Sequence, residues 1–114
     1  MSMEASLHPV LAAVVPSSYP DIAPTGTSAP YAVYQQVGGP VINPMGNESP
    51  GLYGARVQVI VWASTRLQAS SLMQSIEAAI RTNLSGRPVS ALVSRYDGPS
   101  ELRGAMQDFT FWHS

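Results

Sequence analysis

The sequence predicts a single α+β domain, built as a four-stranded, mainly antiparallel sheet with two helices packed on one face. Its 114 residues suffice for one sizeable core. Two segments carry apolar residues at helical spacing, and four have the alternation or composition of strands. Their order is helix, strand, long loop, strand, helix, strand, turn, strand. We therefore expect residues 1–114 to form one domain.

The first third of the chain predicts one helix and one strand with a connector between them. A helix is expected at residues 7–15, where Pro9 fits a first turn and Pro16 ends the helix. Its apolar side is formed by Leu7, Val10, Leu11 and Val14. Four prolines among Ser, Thr and Gly make residues 16–30 an extended connector outside helices and strands. The Tyr and Val content of residues 31–37 predicts the first strand.

A long loop and the strongest strand follow. Residues 38–51 contain four glycines and three prolines, and loops of about fourteen residues in a compact domain are usually functional or disordered. Residues 53–63 alternate strictly. One face is apolar, with Val57, Val59 and Val61, and the other carries Arg56, Gln58, Ile60 and Trp62. The second face begins polar and ends apolar, so we expect an apolar partner to cover that end.

The last half of the chain predicts a long helix and a hairpin. Thr65-Arg66-Leu67-Gln68 has the form of a capping box, and an apolar stripe continues from it to residue 84, with Gly86 as the terminator. Residues 89–96 and 105–112 alternate as strands around a turn at residues 97–100. The expected core positions are Val89, Ala91 and Val93 in one strand and Phe109 and Phe111 in the other.

The composition excludes several classes of protein. Charged residues make up 11% of the chain, against about 25% in typical domains. All six cations are Arg and the net charge is -1, which disfavours a binder that neutralises nucleic-acid phosphates. The absence of Cys excludes disulfides and thiolate chemistry. Apolar stretches are too short to span a membrane, and acidic Glu4 lies where a signal peptide is basic. We expect a protein of the cytoplasm, or of an assembly built there, with part of its surface shielded from water.

Motifs for catalysis, cofactors or metals are lacking. His8 and His113 have no metal-binding spacing, so both are expected to be solvated. No GxSxG elbow occurs, and a chain without Lys cannot form a Walker-type nucleotide site. Asp108 leaves two interpretations open: a cross-strand pair with Arg95, or a partner in another subunit.

The interface prediction rests on several weak signals taken together. The aromatic residues Tyr31, Tyr34, Trp62 and Trp112 fit either the edge of a core or an interface. The partly apolar second face of residues 53–63, the few charges and the long loop favour an interface. The residues expected there are Arg56, Gln58, Ile60, Trp62 and Asp108 on the sheet, with Val41, Ile42 and Met45 in the loop.

Over nearly its whole length, the chain resembles the tail terminator proteins of long-tailed bacteriophages and related gene-transfer particles, which are also called tail completion or head-to-tail joining proteins. The resemblance rests on the order and spacing of five segments. These are the helix at 7–15; Tyr19-Pro-Asp-Ile-Ala-Pro leading to Pro30-Tyr-Ala-Val-Tyr-Gln-Gln; Ala55-Arg-Val-Gln-Val-Ile-Val-Trp-Ala; the helix after Thr65; and Asp108-Phe-Thr-Phe-Trp-His.

The resemblance implies a structural protein without catalysis or cofactor. Such proteins form a ring, generally hexameric, that caps the tail tube at the tail-neck junction of the virion. The implied partners are further copies of the chain, the tail tube protein and a neck stopper or adaptor protein. DNA would pass through the lumen without specific binding, and assembly would take place in the host cytoplasm. Two alternatives remain: another neck component, such as a stopper or head-completion protein, or a small α+β ligand-binding or enzymatic domain with a polar pocket.

Overall fold

The computed structural model describes residues 3–39, 41–42 and 52–113, with backbone alone at 41–42, 52–53 and 113. Its helices are α1 (Met3–Val14) and α2 (Arg66–Leu84), and its strands are β1 (Ser18–Pro20), β2 (Tyr31–Gly38), β3 (Val41–Ile42), β4 (Leu52–Ala63), β5 (Arg87–Pro88), β6 (Val93–Asp97) and β7 (Leu102–His113). The α+β class is confirmed. The predicted number of four strands was too low, since the described residues form seven. The three additional strands have only two or three residues each, which is too short for an alternating pattern to be recognised in the sequence.

One sheet contains all these strands. The hydrogen-bonded order is β1-β2-β4-β7-β5, with β3 also paired to β4 and β6 to β7. Only the β1–β2 pair is parallel. The twelve-residue strands β4 and β7 pair with each other from Tyr53 opposite His113 to Ala63 opposite Arg103. They form the longest strand pair of the sheet.

The core lies between the inner face of the sheet and the two helices. Val57, Val59 and Val61 are fully buried, as is Phe109, which lies opposite Val57 in β7. They form one apolar cluster with the buried residues of both helices, namely Met3, Leu7, Leu11, Ala69, Met73, Ile76 and Ile80. The helices therefore cover the inner face and leave the opposite face of the sheet as an outer surface.

Helix α1 begins earlier than expected. Met3 and Leu7 are buried one turn apart, and burial of both apolar side chains stabilises the extra turn. Pro9 therefore lies inside the helix and not in its first turn, which corrects the prediction. The prediction of a solvated His8 is also wrong. Tyr34 faces α1 from the inner side of β2, and its hydroxyl lies 3.0 Å from Nδ1 of the half-buried His8.

The connector at residues 16–30 contains a regular element that the composition did not predict. β1 pairs parallel to the start of β2. Ser18 is buried, and its hydroxyl donates to the Val15 carbonyl over 2.6 Å, which ties β1 to the end of α1. Asp21 then takes a positive φ of 63°, a conformation that Asp tolerates better than most residues, and the chain leaves the sheet there.

Helix α2 begins as predicted and ends differently. The Thr65 hydroxyl accepts a hydrogen bond from the Gln68 amide at 3.1 Å, which confirms the N-cap. At the other end Ser85 takes the left-handed conformation, with φ 51°. Gly86 does not supply the left-handed conformation, but it is needed because there is no room for a side chain. An added Cβ would lie 2.5 Å from Ile80 Cγ2 and 3.0 Å from the Thr110 carbonyl oxygen.

The strand predicted at residues 89–96 is shorter and faces the other way. β6 begins at Val93, which pairs with Met106 and is 45% exposed on the outer face. The expected core positions Val89, Ala91 and Val93 are all exposed. The irregular segment before β6 covers buried Gln107, whose side-chain amide donates to the Ser90 carbonyl at 2.9 Å. Leu92 packs against the core in place of Val93.

Candidate subunit interface on the outer sheet face

The outer face of the sheet collects side chains from four strands. The register places residues 31, 33 and 35 of β2 beside residues 62, 60 and 58 of β4, and these beside residues 104, 106 and 108 of β7. Residues 93 and 95 of β6 complete the row. Because side chains alternate along a strand, all of these point away from the helices.

One end of the outer face is apolar and concave. Tyr31 lies opposite Trp62, and Val33 lies opposite Ile60. Together with the turn after β1 they line a depression, which we call the apolar depression. Its lining residues are Asp21, Ile22, Ala23, Tyr31, Val33, Ile60 and Trp62. Ile22 is 79% exposed at its border. The sequence predicted that this end of β4 is apolar.

Trp62 owes its position to a glycine on the neighbouring strand. Gly104 lies opposite Trp62, and a Cβ added there would come within 2.9 Å of the indole ring. The ring therefore occupies the space above Gly104 that a side chain would fill, and it lines one side of the apolar depression.

The other end of the outer face is polar. Arg56 donates from Nε and Nη2 to Oδ2 of Asp108, over 3.1 and 3.0 Å. Gln35 donates to Gln58 at 3.5 Å beside them. The side chains of Arg56 and Asp108 are 49% and 16% exposed, and pairs of this kind contribute about 0.2–1 kcal/mol to stability.

The cross-strand interpretation of Asp108 was right in kind, but the predicted partner Arg95 was wrong. Arg95 lies opposite Gly104 in the ladder between β6 and β7, four positions from Asp108. Gln58 is the direct neighbour of Asp108 on β4, and Arg56 reaches it diagonally across the same strand pair. The sequence could not supply this register.

Acidic groups border the apolar depression. Burial raises the pKa of the Tyr31 hydroxyl, and the negative charge of Asp97 raises it further. Asp21 lies in the lining itself, and its charge contributes, after burial and Glu4, to the raised pKa of Tyr34. Among the described residues, Arg95 is the one cation of the outer face at this end, opposite Gly104. Two carboxylates against one cation favour a partner with an apolar side chain and a positive charge next to it.

The structure brings together five of the eight predicted interface residues: Arg56, Gln58, Ile60, Trp62 and Asp108. Val41 and Ile42 are described by backbone alone. They form β3, which pairs with residues 52–53 beyond the Arg56 end of the face. Met45 lies outside the described residues, as does the rest of the loop from 43 to 51.

Sequence reasoning missed part of the face. Val33 and Met106 belong to it through the strand register, and alternation with Tyr31 could have identified Val33. Ile22 carries no such signal, because it lies in the turn after β1. Of the four aromatic residues left open, Tyr31 and Trp62 line the outer face and Trp112 is exposed, whereas Tyr34 belongs to the core.

Within the described residues, no group of three or more potential metal ligands comes together. Neither α1 nor α2 is both long and apolar enough to cross a membrane.

Comparisons with known proteins identify the family and a similar fold. No curated protein matches the chain, but several solved structures do. One is a chain of the virion of a native gene transfer agent particle, at 16% identity and a TM-score of 0.51, with 97% of this chain and 93% of that chain covered; at this identity the likeness concerns the fold. The model of the family "Tail completion protein gp17" matches residues 5–114. The chain therefore belongs to the tail completion protein gp17 family, a family of structural virion proteins.

Proposed function

We propose that this protein is a tail terminator, which forms a ring on the end of the tail tube and joins the tube to the neck. Membership of the tail completion family supports the role. The observation that carries the ring is the outer sheet face, with an apolar depression at one end and an ion pair at the other. A ring requires two different surfaces on each subunit, one for each neighbour. The helix side and the outer face differ in this way.

The mechanism is geometric and needs no catalysis. A ring that binds the last ring of the tube covers the surface on which the next tube subunit would add, so polymerisation stops. The opposite side of the same ring then offers a docking surface for a neck stopper or adaptor protein. We expect the loop at residues 38–51, of which Val41 and Ile42 form β3 beside β4, to contribute to one of these contacts.

The charge of the chain suits a ring through which DNA passes. Six Arg and seven acidic residues leave a net charge of -1. Since affinity for DNA rises with the number of phosphates neutralised, a nearly neutral ring holds DNA weakly. The duplex can then move through the lumen without being retained.

Native mass spectrometry and negative-stain microscopy of the protein, alone and mixed with purified tail tubes, test the proposal. We expect closed rings at one end of the tubes. Ile60→Glu, which places a charge on the outer face, should reduce ring formation. Ser94→Glu places the same charge at an exposed position of β6 that pairs with Ala105 and therefore lies on the opposite face, and it should not reduce ring formation. Monomers only, both alone and with tubes, contradict the proposal.

Cross-linking separates the tail terminator from other neck components. A tail terminator on assembled tails should cross-link to the tube protein. Cross-links to the portal adaptor alone would instead identify a stopper or head-completion protein.

A further inference from the structure

We propose that, in the ring, the exposed side of α2 of one subunit lies along the outer sheet face of the next, with Leu67 in the apolar depression and Arg66 beside Asp21. This inference rests on the proposed ring and identifies the two surfaces that close it. The occupant of the depression is a second copy of the chain.

The exposed side of α2 is a continuous stripe. Leu67 is 78% exposed in the first turn of the helix. At 100° per residue it lies nearly opposite the buried positions Ala69 and Met73, so it points away from the sheet. The stripe that follows it along the helix is exposed throughout and consists of Leu67, Ser71, Gln74, Ala78 and Arg81. Its only large apolar member is Leu67.

The stripe and the outer face have similar lengths and begin and end at the same positions along the strand direction. α2 begins three residues after Ala63, at the Trp62 end of the sheet. It ends where Gly86 meets Thr110, and Thr110 lies opposite Arg56. From Leu67 to Arg81 the helix rises about 21 Å, and from Trp62 to Arg56 the strand spans about 20 Å. Leu67 is thus level with the apolar end of the face and Arg81 with the polar end.

Cyclic symmetry accommodates this arrangement in a ring whose axis runs parallel to the strands. A rotation about an axis parallel to the strands leaves every residue at its own height. The stripe and the outer face lie on opposite sides of the sheet, so the stripe of one subunit meets the outer face of the next at equal heights. Surfaces at different heights would give an open helical assembly.

Charge complementarity favours the same pairing. The apolar depression is bordered by Asp21 and lies near Asp97, so that in the described part of the chain two carboxylates stand against one cation, Arg95, which lies opposite Gly104 on the same face. The first turn of α2 contains Arg66 and no acidic residue, and the helix N-terminus adds positive potential. At the other end, Arg81 and Glu77 form a pair at 3.4 Å, level with the pair between Arg56 and Asp108. There the two ion pairs can exchange partners across the contact.

The first experiment measures assembly by native mass spectrometry. Leu67→Glu brings a carboxylate against the acidic border, so we expect at least a tenfold higher protein concentration to be needed for rings. Both Leu67 and Ile22 are largely exposed in the subunit, so substitution should not disturb its fold. Combining Leu67→Glu with Ile22→Lys should restore assembly through a new ion pair. Ser94→Glu, at an exposed position on the opposite face of the sheet, is the control and should assemble as the wild type does.

The second experiment uses the absence of Cys from the chain. Ile22→Cys subunits mixed with Leu67→Cys subunits should give disulfide-linked dimers under mild oxidation, whereas Ser94→Cys mixed with Leu67→Cys should not. A subunit that carries both Ile22→Cys and Leu67→Cys should give a ladder of linked species that ends at the size of the ring.

The outcomes separate this inference from the proposed function. If the wild type forms no ring, alone or with tail tubes, the proposed function fails and the inference fails with it. If the wild type forms rings but Leu67→Glu assembles equally well, or the cysteines at 22 and 67 do not link, the inference is overturned and the ring stands.

Discussion

At the scale of single residues, two glycines fix the positions of large side chains. Gly104 leaves room for the Trp62 ring, and Gly86 leaves room for Ile80 where α2 returns to β7. Both are buried, and neither is needed for an unusual φ. They act through the space that a missing Cβ provides.

Substitution of Gly86 by Ala should destabilise the fold by about 1–3 kcal/mol, because the new methyl group overpacks the contact with Ile80 and Thr110. Gly98→Ala is the matched control. Its Cβ would have no neighbour nearer than 4.0 Å, so we expect a change within about 0.5 kcal/mol. Urea unfolding of the two variants measures the difference, and equal midpoints would contradict the account of Gly86.

At the scale of helices and strands, α2 was predicted well because its signals are local. Its cap, its apolar stripe and its length all follow from spacing within one segment. β6 was predicted on the wrong face because its orientation depends on β7. The alternation of Val89, Ala91 and Val93 resembles a buried strand, but the register with Met106 turns Val93 outward.

The residues of the candidate interface likewise fall into those that a local pattern predicts and those that depend on how the strands pair. Ile60 and Trp62 could be placed on one face because they continue the period-2 positions of Arg56 and Gln58, opposite to Val57, Val59 and Val61. The partner of Asp108 could not, since it depends on which residue of β4 faces which residue of β7. Ile22 joins the apolar depression through the parallel pairing of β1 with β2, a contact that no local pattern indicates.

The two sides of α2 should respond differently to truncation. Ile76→Ala removes a fully buried side chain and should cost about 2–5 kcal/mol of unfolding free energy. Leu67→Ala removes one of similar size from an exposed position on the same helix, so we expect less than about 0.5 kcal/mol when the chain is monomeric. Chemical denaturation at low protein concentration measures both. A large loss from Leu67→Ala would place Leu67 in the core of the subunit, contrary to the structure.

At the scale of the whole molecule, the charged fraction of 11% has a structural counterpart. The uncharged side chains in and beside the apolar depression form a large part of the outer face. They are Ile22, Tyr31, Val33, Ile60, Trp62 and Met106. A surface that neighbouring subunits cover needs few charges to stay soluble in the assembled state.

We therefore expect the isolated chain to associate as its concentration rises. Sedimentation velocity over a wide range of concentration measures this. Association through apolar contacts should persist at high salt, whereas association through surface ion pairs weakens as salt screens them. A chain that stays monomeric and soluble at high concentration would contradict this explanation of its low charge.

The edges of the sheet determine how copies of this chain can meet. β1 has three residues and ends in Pro20, and β5 has two residues and ends in Pro88; neither proline has an N–H to offer an added strand. β6 is five residues long and carries Arg95 and Asp97. Short edges with proline or charge discourage the edge-to-edge strand addition that leads to amyloid-like fibrils. At β1, β5 and β6 the chain therefore resists unlimited cross-β growth, so it can accumulate before assembly with less risk of forming fibrils.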